Sequence, residues 1–410
     1  MPSTLPILRA RRERRLEKQN KQSARARGAI ISGGIVLSLL LAVGIMLGAF
    51  AYADVTRELP STEILPRLLN PPDGLLLQPT RIYDRSGLQL LFTFAPENSP
   101  RRYIPVNPQN PQHIPENLVN AVIAVADPQF KTHSGYAIQG INDPELHPTI
   151  AQRLVSNLIL YNEPPSTRRA IRERILAAQI TAQFGRTQII EWYLNSANFG
   201  NHAYGVDAAA QLYFGKPTDQ LTLAESAILA ATSETPALNP LDAPQFALQR
   251  GRETIYILNG LGLVSNEATE LALAETPKME STPLTPPTIA PAFLNLVLAQ
   301  LDSQIPRERI ERGGMTVITT LDHDLQKKAA CVTEVYATRM AGLPTPETDC
   351  DSARLLPSLP PAITFADSSA SALILDPNTG QVLAMVGETN QGVETPLASA
   401  HRPGSSLDAF

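Results

Sequence analysis

Glu173 lies in the stretch from residue 167 to residue 216 around which a chemistry could be organised. TRRAIRERILAAQITAQF predicts a helix, because Ile171, Ile175, Ala178 and Ala182 recur at helical spacing and predict an inward face. Arg169 and Glu173 sit four apart on the other side, and Arg172 and Leu176 share a neighbouring row. Glu173 is therefore either a solvated helix charge or a carboxylate facing a cleft. In a cleft a carboxylate can take part in proton transfer, and guanidinium groups beside it can receive an anion through paired donors. Upstream, AVIAVADPQFKTHSG brings Asp127 and His133 close in sequence, although a lone His is usually structural. Cys331 and Cys350 are the only cysteines. A disulfide between them and two unpaired thiols both remain open, and no His or Cys cluster accompanies them as a metal site requires.

The elements that would position these residues follow from local signals. TRIYDRSGLQLLFTF predicts a hairpin turning at 84–87. PVNPQNPQHIP then feeds a helix at about 116–126. Helices dominate from 148 to about 260, with a loop at 157–167 broken by Pro164 and Pro165, and Ser166 or Thr167 as cap of the next helix. Further helices are expected at 221–232, opened by Thr222, and at 249–260, 266–275 and 293–301. TPKMESTPLTPPTIAP, 276–291, is a proline-rich linker. SALILDPNTGQVLAMVG predicts a second hairpin with a DPNTG turn.

At 410 residues the chain is long enough for two or more domains, and its net charge of −5 does not suggest nucleic acid. Residues 1–27 are strongly basic and end where an uncharged run, 28–53, begins. That run exceeds the roughly 7–15 residues of a signal core and reaches the ~20 needed to span a bilayer. It predicts an uncleaved single-pass anchor, with the basic tail held on the cytoplasmic side and the bulk of the chain outside. Ala49-Phe50-Ala51 and Ala51-Tyr52-Ala53 resemble cleavage patterns and keep a signal peptide as the competing reading.

RRxxRE, IIEWYLN, the Asn198-Phe199-Gly200 turn, YGVDAAAQLYFGK and LTLAESAILA occur in that order. They resemble the second half of glycosyltransferase family 51, the peptidoglycan glycosyltransferase module of class A penicillin-binding proteins, and the similarity runs from about residue 76 to residue 240. The resemblance implies a mostly α, lysozyme-like helical domain behind one transmembrane helix, followed by a small β-containing stub of a transpeptidase domain. The expected organisation is a basic tail at 1–27, an anchor at 28–53, a connector at 54–75 and the transferase-like domain at 76–275. A proline-rich linker and inter-domain segment follows at 276–325, and an incomplete transpeptidase-like start at 326–410.

In such a family a carboxylate deprotonates the acceptor sugar hydroxyl, which attacks the donor's anomeric carbon while a lipid diphosphate leaves. The base belongs to a motif like AxIAxEDxxFxxHxG. Ala121, Ile123, Ala124, Asp127, Phe130, His133 and Gly135 fall in register with it, but Ala126 occupies the lost base position. Asp127 is one residue off, about 100° around a helix, and is expected to point elsewhere. A second motif, roughly GxSTITQQLxKN, reads LHPTIAQRLVSN here: Thr149, Gln152, Leu154 and Asn157 match, His147 and Pro148 replace small residues, and Ser156 replaces the phosphate-binding Lys. The segment between Gly135 and Pro148 is about ten residues shorter than in working members.

Glu173 survives as the catalytic acid, with Thr149, Gln152, Arg153, Asn157, Arg168 and Arg169 as substrate-binding candidates. The implied ligand is lipid-linked peptidoglycan precursor. No cofactor is implied beyond a divalent cation that could accompany the diphosphate; the membrane and other envelope-synthesis proteins are the further partners. The leading expectation is a degenerate transferase site serving as a scaffold or lipid-sugar binder. The alternative is an active polymerase using Glu173 with His133, Asp127 or Asp143 as substitute base. HRPGSSLDAF resembles RxPGSSxKP with Asp408 at the Lys position, and no Lys has Ser three residues before it. A transpeptidase nucleophile is therefore expected to be missing from these residues.

Overall fold

A computed structural model describes residues 34–96, 101–279, 288–343, 351–356, 370–390 and 393–395. The chain divides into two compact units, 1–60 and 61–410.

In the first unit, α1 (Gly34–Thr56) is a 23-residue helix of mean hydropathy 2.5 with no buried residues in its apolar window. It is long and apolar enough to cross a bilayer. Its Ser38 hydroxyl donates to the Gly34 carbonyl at 2.9 Å, so this polar group is satisfied within the helix. The basic residues 1–27 lie outside the described residues.

The second unit opens with α2 (Ile64–Leu69) and the expected hairpin, β1 (Arg81–Tyr83) and β2 (Leu90–Thr93), paired antiparallel. Asp84 shapes the turn, accepting from the Ser86 hydroxyl at 2.6 Å and the Gln89 N–H at 3.2 Å. A third strand, β3 (Thr316–Ile318), runs parallel to β1, giving the order β2-β1-β3. The hairpin and part of the segment expected to form an inter-domain connection thus share one sheet. Beneath it Ile82, Phe92, Phe94, Phe293, Leu294 and Ile310 form a core.

The helical body contains α3 (Glu116–Ala126), α4 (Ile150–Leu154), α5 (Thr167–Ser196), α6 (Val206–Phe214), α7 (Leu223–Glu234), α8 (Pro244–Gly260) and α9 (Asn266–Ala274). α3 packs against α7 and α8, and α4 against α5. Thr222 opens α7 through a capping box with Glu225. α8 starts five residues earlier than its apolar period predicts, with Pro244 in its first turn. The expected loop after Asn157 begins later, because the helical path continues from α4 as a π turn, Val155–Ile159. Ser166 caps α5, its hydroxyl accepting from the Arg169 N–H at 3.1 Å.

The inward face predicted for α5 is corrected by the structure. Ile171, Ile175 and Ala178 are only half-buried and Ala182 is exposed. The buried side carries Arg169, Arg172, Glu173, Arg174, Leu176, Ala177 and Ile180. Charged groups occupy that side because each finds a partner there, which an apolar periodicity does not register. α5 also breaks at Gly185, whose φ of 77° and ψ of 163° join two helical segments.

α10 (Pro291–Asp302) and α11 (Arg307–Arg312) precede β3, and α12 (His323–Met340) follows it. α12 lies on the hairpin of β4 (Ala370–Leu375) and β5 (Val382–Asn390), whose other edge bears β6 (Val393–Thr395). Cys331 on α12 is disulfide-bonded. Cys350, residues 280–287 of the linker and the PGSS segment lie outside the described residues.

Candidate functional site

The end of α3, the start of α4 and the first turns of α5 bring the motif residues together. Ala126 is the last residue of α3 and is buried. Asp127 lies beyond the end of the helix, so a non-helical backbone, not helical rotation, aims its carboxylate. That carboxylate bonds the His133 Nε2 at 2.9 and 3.0 Å and accepts the Ile150 N–H, at the start of α4, at 3.1 Å. Asp127 and His133 thus engage each other. Asp143, the other substitute-base candidate, is exposed and accepts from the Glu145 N–H at 3.2 Å.

Thr149 caps α4, accepting from the Gln152 N–H at 3.1 Å and donating to the Gly135 carbonyl at 2.8 Å. Fully buried Gln152 accepts from the Ala137 N–H at 2.9 Å and donates through Nε2 to Glu173 Oε1 at 2.8 Å. The other Glu173 oxygen, Oε2, lies 2.7 Å from His147 Nδ1. That approach is off the hydrogen-bond axis, leaving both buried atoms without an aligned partner. His147 Nε2 meets the Ser156 hydroxyl at 3.0 Å, and Ser156 Oγ also accepts from Arg169 Nη2 at 2.7 Å.

Arg153 reaches Glu234 at the end of α7, donates through Nε to the His147 carbonyl at 3.0 Å and through Nη2 to the Ala126 carbonyl at 3.5 Å. Asn157 and Arg168 have exposed side chains, apart from this buried set. The sequence therefore indicated Thr149, Gln152, Arg153, Arg169 and Glu173, which the fold assembles. It missed His147, Ser156 and Glu234 as partners. A polar residue at each of two positions where the motif has other types was the available signal, but it read only as loss.

Among the described residues no three His, Cys, Asp or Glu side chains group to hold a metal ion. Glu173 and Asp127 each face an imidazole. Cavities of about 370 and 350 Å³ lie against α10 and β3 and at the start of α3, away from residues 147, 156 and 173.

A transglycosylase profile matches residues 106–259, from before α3 to the end of α8. Penicillin-binding protein 1A of Rickettsia bellii is 33% identical over 316 residues, covering 72% of this chain and 37% of its own length. Penicillin-binding protein 1A of Aquifex aeolicus is 31% identical over 334 residues, covering 76% and 42%. Penicillin-binding protein 2D of Bacillus subtilis is 26% identical over 361 residues, covering 84% and 47%. A crystal structure of penicillin-binding protein 1A from Haemophilus influenzae overlays 64% of this chain and 30% of its own, at 22% identity and TM-score 0.34. That overlap is too loose to add to the sequence match. The chain spans less than half the length of these curated relatives. Its mostly helical body is that of a transglycosylase module. The module belongs to glycosyltransferase family 51, the peptidoglycan glycosyltransferases of class A penicillin-binding proteins.

Proposed function

We propose that this chain is a membrane-anchored protein of envelope assembly, its N-terminus cytoplasmic, that binds lipid-linked peptidoglycan precursor and transfers sugar slowly. The observation that carries this reading is the engagement of the surviving charged groups by neighbouring polar side chains. Glu173 is held by Gln152 and faces His147, Arg169 is taken up by Ser156, and Arg153 by Glu234. The methyl group of Ala126 cannot accept a proton. Loss of general-base catalysis slows such a step by about 10²–10⁴-fold, and loss of a cation at the leaving diphosphate slows it further. A helix of bilayer-spanning length and acceptable composition supports the anchor.

The test uses the full chain in lipid vesicles with lipid-linked disaccharide. Binding with polymer formed at least 10²-fold slower than by a working synthase run alongside is expected. Polymerisation within tenfold of that synthase overturns the impaired-site reading, and no detectable binding overturns the whole proposal.

A further inference from the structure

We infer that His147, oriented by Glu173, is the proton acceptor for the remaining sugar transfer, in place of the carboxylate absent at position 126. The inference rests on the reading above and deepens it.

The hydrogen-bond donors are consistent with one tautomer of the imidazole. Arg169 can only donate, and its Nη2 gives a hydrogen bond to Ser156 Oγ at 2.7 Å. The Ser156 hydroxyl hydrogen is therefore free to point at His147 Nε2, 3.0 Å away. Nε2 then accepts and Nδ1 carries the proton, on the side where Glu173 Oε2 lies at 2.7 Å. This is the tautomer a general base requires: a lone pair aimed at a hydroxyl, and an opposite N–H beside a carboxylate. The Nδ1 contact is off-axis, and a rotation of the ring brings it into line, as catalytic contacts often tighten when substrate binds.

Position supports the assignment. The Arg153 guanidinium bonds both the His147 and Ala126 carbonyls, at 3.0 and 3.5 Å, so the backbones of the two positions meet on one side chain. His147 also has more solvent access than the carboxylate it faces: its side chain is 22% exposed, against 1% for Glu173. The charged and titratable groups around it are Glu173 and, through Ser156, Arg169, both from α5. Arg153 of α4 meets its carbonyl and is itself paired with Glu234 of α7.

In the step, the acceptor sugar hydroxyl displaces Ser156 from Nε2. Its oxygen forms the new bond to the donor's anomeric carbon while Nε2 takes the proton. The bond from that carbon to the diphosphate oxygen breaks, and its electron pair leaves with the diphosphate. Glu173 stabilises the imidazolium as a positioning residue, and the proton then passes to solvent.

The test measures binding and turnover of lipid-linked disaccharide separately, in vesicles, for the parent chain, His147→Ala and Glu173→Gln. Slow parental turnover is expected. His147→Ala should lose about 10²-fold or more of it with binding kept, and free imidazole should restore part. Glu173→Gln should lower kcat more than it raises KM. Turnover unchanged in His147→Ala overturns the inference. So does binding by the parent without any turnover, which leaves the binder reading intact. Absence of binding removes both.

Discussion

The guanidinium of Arg153 holds its proton more tightly than an ordinary arginine. Burial opposes its charge, but the hydrogen bond to Glu234 and the neighbouring Tyr193 outweigh it. Replacing it with Met strands the Glu234 carboxylate, whose side chain is only 16% exposed. Arg153→Met should cost about 2 kcal/mol or more, and Arg153→Met with Glu234→Gln should recover much of that, by denaturant unfolding. Tyr204 presents the opposite case. Its hydroxyl is buried without a partner while Arg101 and Arg312 stack on its ring at 4.9 and 5.4 Å. Tyr204→Phe should leave the melting temperature unchanged or raise it, because no bonded partner is orphaned. At this scale Ala126 was legible, since the flanking residues fix the register. The link between His147 and Glu173 was not: it spans 26 positions, and no local pattern encodes it.

Two turns show how the elements are held. Gly135 has φ of 94°, and a Cβ there would meet Thr181 Oγ1 at 2.0 Å and the Ala177 carbonyl oxygen at 2.6 Å. Gly135→Ala should destabilise by about 2 kcal/mol or more, and Thr181→Ala should not rescue it, because the backbone contact remains. Asp84 is the second case. Burial pushes its pKa up, but bonds from Ser86 and the Gln89 and Leu88 backbone outweigh that and hold it below the usual value. A depressed folded-state pKa contributes stability above about pH 4 that is lost as pH falls through the lower folded value. Asp84→Asn should therefore melt lower than the parent at pH 7, and the gap should close as pH falls below the ordinary carboxylate range. The hairpin, α3 and the capped start of α7 were readable because turn residues and caps act locally. The buried face of α5 was not, since its arginines and Glu173 are satisfied by residues from other elements.

Across the whole molecule, the first hairpin is completed by distant sequence. β1 pairs with β3, Thr80 donates to the Ile310 carbonyl at 2.6 Å, and Arg101 reaches the Arg312 and Glu311 carbonyls. A chain ended at Glu275 would leave β1 with a bare edge and Arg101, whose pKa burial already lowers to about 10, without these carbonyls. Such a chain should melt lower than the full one and aggregate more, as followed by calorimetry and light scattering. The parallel strand was invisible beforehand, because three residues carry no sign of which edge they will join. The same pairing sets a clock on synthesis. Tyr83 and Thr319 stand 236 residues apart, an interval of on the order of ten to fifty seconds at ribosomal speed. Throughout that interval the nascent hairpin is an open template for any passing strand, so a chaperone that shields newly emerged segments would govern the yield of folded protein more than its final stability does.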